Sequence, residues 1–196
     1  MNRHLVAAAF AVTASLAGMP AFAAAPSPYL GAAIGGSDTD IDCNGADSCK
    51  RAATAYKAFA GYDFGNAFAL EGMYMSLGQP KAGVQGMDFG VDSSFWGVGG
   101  AFRPEFGSGW SGVVRGGIAF TTSKTDVYFL DANFGTHVTQ SFHSTNPYAG
   151  AGVAYAIDKH MKLEADLDAT RVQAGDGDSH RTSRVLAWTL GASYSF

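Results

Sequence analysis

At 196 residues the chain is long enough for one domain of ordinary size and too short for two well-packed ones. Apolar residues at 47% and aromatics at 13% exclude an intrinsically disordered chain, and 26 glycines without a G-X-Y period beside 6 prolines exclude collagen and Pro-rich disorder. A formal net charge of -4, with only 15% charged residues, offers no basic surface for nucleic acid and little charge to hold the chain in water.

The first element reads as an export signal. A basic start at Arg3 and His4 precedes an apolar run from Leu5 to Ala17, a breaker at Gly18 to Pro20 and the small-residue triplet Ala21-Phe22-Ala23. Cleavage after Ala23 is expected, which makes residues 1–23 a signal peptide and residues 24–196 the mature domain. Downstream, no run of about 18 consecutive apolar residues occurs, so a helical membrane span has no support.

In the mature chain the period is two. Residues 28–37 form the first strand-like run, and the polar stretch after it holds Cys43 and Cys49. No second ligand pair lies near them, which disfavours a metal; a disulfide closing this short loop would restrain the unfolded chain by about 2.4 kcal/mol in an oxidising compartment. Runs at 54–64, 67–77, 93–103 and 110–121 follow. Between 122 and 145, Val127 and Phe129, then Val138, Gln140 and Phe142, keep the period around a turn containing Gly135, which predicts a hairpin reaching beyond the neighbouring strands.

The runs at 146–157 and 161–172 come next, and the second carries the strongest contrast. Met161, Leu163, Ala165, Leu167 and Ala169 alternate with Lys162, Glu164, Asp166, Asp168 and Thr170, giving one hydrocarbon face and one charged face. In the last run Leu186, Trp188, Leu190, Ala192, Tyr194 and Phe196 alternate with small or hydroxylic residues. Its length, at ~3.3 Å per residue and a tilt of ~45°, covers about 26 Å of height, which matches a bilayer's apolar band of ~25 Å.

Eight runs with alternating long and short connections predict an all-β, eight-stranded antiparallel transmembrane β-barrel, an up-and-down meander with short periplasmic turns and four longer extracellular loops. Aromatics gather near the short ends (Tyr29, Tyr62, Phe68, Phe102, Trp110, Tyr155) as one girdle, with a looser group (Tyr56, Tyr74, Phe95, Trp96, Phe120, Tyr148) toward the long loops. A secreted soluble sandwich is the architectural rival, because its strands would also alternate.

At residues 55–78, AYKAFAGYDFGNAFALEGMYMSLG, and at the closing LGASYSF, the chain resembles the eight-stranded outer-membrane barrels of the OmpA-like transmembrane domain and opacity-type, porin-like family. The features that carry the resemblance are Gly61-Tyr62 before a tight turn, the inward acid Glu71 after it, and the terminal Phe196. The resemblance implies that Tyr194 and Phe196 form a C-terminal signal read by the barrel-assembly machinery. It also implies an outer-membrane location in a Gram-negative envelope; the peptidoglycan-binding domain of full-length members is not expected here.

If the apolar faces point outward, the inward set contains Lys57, Glu71, Arg115, Glu164, Asp166 and Asp168, with Lys162 near the periplasmic mouth. Such charges must pair when buried, and a structural ion-pair plug is the expected role. The alternative is a low-conductance, porin-like path along Glu164, Asp166 and Asp168. A lipid-modifying enzyme is the third reading, because His143 and Ser144 adjoin with Asp131 and His137 upstream, yet neighbours on a strand face opposite ways. Asp176, Asp178 and His180 in GDGDSH fit no complete calcium loop. No cofactor or metal is therefore expected, no catalytic residue is assigned, and the expected partners are outer-membrane lipid and a surface ligand at the outer loops.

Overall fold

A computed structural model describes residues 25–40, 48–79, 81–84, 87–129, 136–176 and 179–196. Eight long strands run in chain order: β1 (Ser27–Thr39), β2 (Ala52–Asp63), β3 (Phe68–Ser76), β4 (Met87–Phe102), β5 (Trp110–Phe129), β6 (Thr136–Ala156), β7 (Met161–Asp176) and β8 (Ser179–Ser195). Every strand pairs antiparallel with its sequence neighbours, and β8 pairs back on β1, with Ile34 opposite Leu190. The sheet therefore closes as an up-and-down barrel. Where every strand pairs with both neighbours, closure leaves no sheet edge, which is the condition for strands to cross hydrocarbon.

Alternation places the two chemistries on opposite faces. Leu30 and Ile34 on β1, Val98 on β4, Ile118 on β5, Leu167 on β7 and Trp188 and Leu190 on β8 all point outward and stand half or more exposed. The positions between them point into the barrel and are buried, and they include Lys57, Glu71, Arg115, Glu164, Asp166 and Asp168. A soluble sandwich would show the reverse, with polar groups outside. The apolar wall and charged interior identify lipid as the outer solvent and exclude the sandwich.

At one end the connections are tight. Asp63 accepts the Gly65 N–H at 2.7 Å, and Phe64 donates to the Phe68 carbonyl at 2.9 Å; Gly65 and Ala67 both take the left-handed conformation there. Between β6 and β7, Asp158 accepts from the N–H groups of His160 (2.7 Å) and Met161 (2.8 Å), bonds that hold its carboxyl below the usual carboxylate range. This turn keeps its cap above that range and loses it only as pH falls through the lowered value.

At the other end the strands outrun the sequence reading. β4 begins at Met87 rather than 93, β5 reaches Phe129 rather than 121, and β6 starts at Thr136 rather than 146. The β5–β6 ladder extends to Phe129 opposite Thr136, and Val127 faces Val138, so the hairpin expected around Gly135 forms, its tip lying outside the described residues. β7 and β8 likewise continue as a hairpin to Asp176 and Ser179 where a long loop was expected. Beyond the bilayer neither face of a strand meets hydrocarbon, so at the outer ends of β4, β7 and β8 the apolar alternation fades while the backbone ladder persists. Two short strands, Ser48–Lys50 and Lys81–Val84, add to the outer part of β4 and join three connections into one sheet.

Leu190 lies well inside β8, opposite Ile34 and Ala165. Leu190→Arg should destabilise the folded barrel by ~2 to 4 kcal/mol in denaturant titrations in lipid vesicles, whereas Phe106→Arg, in the short-turn end, should cost ~0 to 1. Equal costs at the two positions would contradict the assigned depth.

Candidate functional site

The interior near the short-turn end is a layer of ions. Lys57, on β2, donates to Asp166 at 2.7 Å and to Asp168 at 2.8 Å, both on β7. Alternation on β7 aims Glu164, Asp166 and Asp168 inward one above another, and β5 contributes Arg115 between them and Glu71 of β3. The Arg115 guanidinium reaches both Asp166 oxygens at 3.3 Å and lies 3.3 Å from Glu71 Oε1. Arg103, just past the end of β4, hydrogen-bonds Glu164 and lies 3.6 Å from Glu71. Ser193 donates to Glu164 at 2.6 Å, and the Tyr29 hydroxyl donates to Glu71 at 2.8 Å.

Glycine makes the space. Gly150 and Gly152 on β6 lie opposite Asp168 and Asp166 in the ladder, and a Cβ at either would collide with those carboxylates. Gly150 also lies opposite Arg115, whose stem would meet the same added carbon. The richness in glycine thus serves close approach of large charged side chains to the wall.

Above the ions lies an apolar layer. Met73, Met75, Leu77 and Phe95 are fully buried in the lumen, and the Phe95 ring packs 6.2 Å from that of Tyr148. Aromatic faces also line the ion layer, since Lys57 lies 5.4 Å over Phe59 and Arg103 4.7 Å over Tyr29. An interior of eight strands is just wide enough to be filled this way.

Six of the seven residues named from sequence for the lumen converge here. Lys162 does not. It pairs with Glu105 at 3.7 Å, partly exposed at the short-turn mouth, and the third buried cation is Arg103. Arg103 continues the inward phase of Phe95 and Ala101, so extending the alternation of β4 by one residue would have found it. Three aromatics assigned to the girdles turn inward instead: Tyr29 bonds the ion layer, and Phe95 and Tyr148 fill the apolar layer. Each stands at an inward position of its strand, a fact that grouping aromatics by height alone conceals.

Among the described residues, His143 and Ser144 of the catalytic reading have separate hydrogen-bond partners. His143 is exposed, its Nδ1 lying 3.2 Å from Thr122 Oγ1, while the Ser144 hydroxyl accepts from Asn146 at 2.8 Å. Asp131 and the His137 side chain lie outside the described residues, as do the side chains of Asp176, Asp178 and His180. Among the described residues no three His, Cys, Asp or Glu side chains gather as metal ligands. Cys43 and the Cys49 side chain also lie outside the described residues.

Residues 8–196 match the family described as outer membrane protein beta-barrel domain. The chain belongs to this family. As an outer-membrane barrel it is similar in fold to Neisserial surface protein A, with a TM-score of 0.61 at 15% identity over 88% of this chain and 100% of that one. It is similar also to Ail, the attachment invasion locus protein of Yersinia pestis, with a TM-score of 0.56 at 17% identity over 88% and 100%. The N-terminal barrel domain of Pseudomonas aeruginosa OprF gives 0.50 at 16% identity over 86% and 97%. No curated protein matches the sequence. The OmpA-like, eight-stranded outer-membrane barrel implied by the resemblance at residues 55–78 is thus the fold of the chain, and the outer membrane is its location.

Arg115 is the cation that the largest number of carboxylates share. Arg115→Leu should destabilise the outer-membrane barrel by ~3 to 5 kcal/mol, measured by denaturant titration, because it leaves Asp166 and Glu71 buried beside fewer positive charges. Gly150→Val should cost ~1 to 3 kcal/mol by overpacking against Asp168 and Arg115. A neutral Arg115→Leu would show the layer to be hydrated and weakly coupled.

Proposed function

We propose that this outer-membrane barrel is a non-enzymatic protein of the cell surface, in which a closed, ion-pinned lumen supports rigid hairpins that meet a ligand outside the cell. The observation that carries the reading is the continuity of the β4–β5–β6 ladder past the bilayer, from Met87 opposite Phe129 to Phe129 opposite Thr136. With the short strands at 48–50 and 81–84 these hairpins form a sheet, a stiffer platform than independent loops. The short turns face the periplasm in this reading. Ail, a neighbour in fold, has been solved in complex with the heparin analogue sucrose octasulfate, which supports a ligand-binding reading for this barrel.

The same reading includes export by a signal peptide cleaved after Ala23 and a Cys43–Cys49 disulfide in the first outer connection. Tyr194 and Phe196 would engage the barrel-assembly machinery. Both side chains are exposed on the outer wall at the end of β8, with their rings 5.2 Å apart, and His160 stacks on Tyr194.

Phe95, Met73 and Leu77 fill the lumen above the ion layer, which argues against a conducting path. In planar bilayers the wild-type protein should show no discrete openings; openings that Glu164→Gln and Asp166→Asn abolish would establish the channel instead. On intact cells a membrane-impermeant maleimide should label Ser141→Cys and leave His160→Cys unlabelled. The opposite pattern would invert the barrel.

A further inference from the structure

Between β6 and β7 the barrel wall splits. Their pairing runs from Lys162 opposite Ala156 to Ala169 opposite Ala149 and goes no further, although β6 continues back to Thr136 and β7 on to Asp176. Past that point β6 follows β5, and β7 follows β8, each in an unbroken ladder. Pro147 stands at the split, where its missing N–H has no ladder bond to lose, and Thr170 Oγ1 donates across the gap to the Pro147 carbonyl at 3.3 Å.

The split fixes a depth. Open strand edges do not face hydrocarbon, so the pairing must hold to the top of the apolar band and can fail only above it. From Lys162 to Ala169 the part of β7 paired with β6 has eight residues, and Met161, whose carbonyl accepts from the Ile157 N–H at 2.9 Å, makes nine, the low end of the ~9 to 11 that a tilted strand needs to cross. Arg171, two residues further on, therefore lies in the headgroup layer, where lipid phosphates reside.

At this level the outer wall carries a groove of about 490 Å³. Its floor is apolar, formed by Pro147, Ala149, Ala169 and Leu186, all on the lipid side of the sheet. At its upper rim Arg171 and Arg184 are directly opposite each other across the β7–β8 ladder, both exposed, and neither guanidinium has an ion-pair or hydrogen-bond partner among the described residues. Like charges facing each other across a ladder are unfavourable unless an anion lies between them. Asp38 of β1 and Asp40 just past its end line the far side, which grades the rim from positive over β7 and β8 to negative beside β1.

We infer that this notch seats a phosphorylated, multiply acylated glycolipid of the outer leaflet. The phosphate lies between Arg171 and Arg184 as their shared anion, with guanidinium forks suited to its oxygens. The hydrocarbon chains run down over Ala149, Ala169 and Leu186. From β6 to β1 the groove spans three interstrand gaps of ~4.8 Å, room for more than one chain side by side. The carboxylates of Asp38 and Asp40 leave space for the divalent counter-ion or amine that such headgroups carry. The assignment to the outer leaflet rests on the orientation proposed above; the groove and its arginines do not.

Native mass spectrometry of the folded barrel from detergent micelles tests this without reference to orientation, which the maleimide labelling decides separately. The probes are a six-chain diglucosamine lipid with two phosphates and the same lipid with both phosphates removed. Wild-type protein should retain the phosphorylated lipid about tenfold more than the other, the discrimination expected of charge-assisted hydrogen bonds. The Arg171→Gln, Arg184→Gln double variant should lose that preference, while Lys124→Gln keeps it. Equal retention of the two lipids by the wild type overturns the proposal even if the double variant fails to fold. So does an undiminished preference in the folded double variant, or displacement of the lipid by inorganic phosphate, which would make the rim an anion site that needs no acyl chains.

Discussion

A backbone in hydrocarbon can satisfy its N–H and C=O groups only against itself, and this requirement shapes the rest of the molecule. Eight strands that each pair with both neighbours, β8 returning to β1, meet it through most of the wall. Closure then divides every strand into a lipid face and a lumen face. What would be the core residues of a soluble protein, such as Leu167, Trp188 and Leu190, stand outside, and the charged residues that would meet water stand inside.

The interior must then be stable without bulk water. Three cations, Lys57, Arg103 and Arg115, meet four carboxylates, Glu71, Glu164, Asp166 and Asp168, and no carboxylate among them lacks a cation within ion-pair range. A set of this kind is weak evidence for stability as such, because desolvation offsets much of the attraction. Its effect is better seen as registry. Each charge has a narrow choice of partners, so a strand shifted by one residue would turn Lys57 or Asp166 toward lipid. Gly150 and Gly152 give the room that this registry needs.

Much of this was legible from the chain alone, because lipid and lumen impose opposite demands on successive residues. The contrast in residues 161–170 gave both the strand and three of the four inward acids. Beyond hydrocarbon the contrast weakens: Val127, Phe129, Val138 and Phe142 still mark the outer β5–β6 hairpin, whereas the outer part of β4 and the β7–β8 hairpin carry little apolar alternation, and their ladders were not legible. Arg103 was overlooked because it follows the last strand residue, and Tyr29, Phe95 and Tyr148 because an aromatic ring suits a lipid interface and a packed lumen equally. Phase along the strand separates the two uses. The split at Pro147 depends on which partner each strand follows past Ala149, a long-range choice that one strand's pattern does not encode.

The account depends on lipid wetting the outer face of each strand. Nitroxide labels placed one at a time at Leu167 and Trp188, and a third at Ala187 on the lumen face, would report it directly through collision rates with oxygen and with a water-soluble relaxant in lipid vesicles. The account predicts strong oxygen relaxation and little aqueous relaxation at Leu167 and Trp188, with Ala187 shielded from both. Labels at Leu167 and Trp188 that meet the aqueous relaxant and escape oxygen would contradict it.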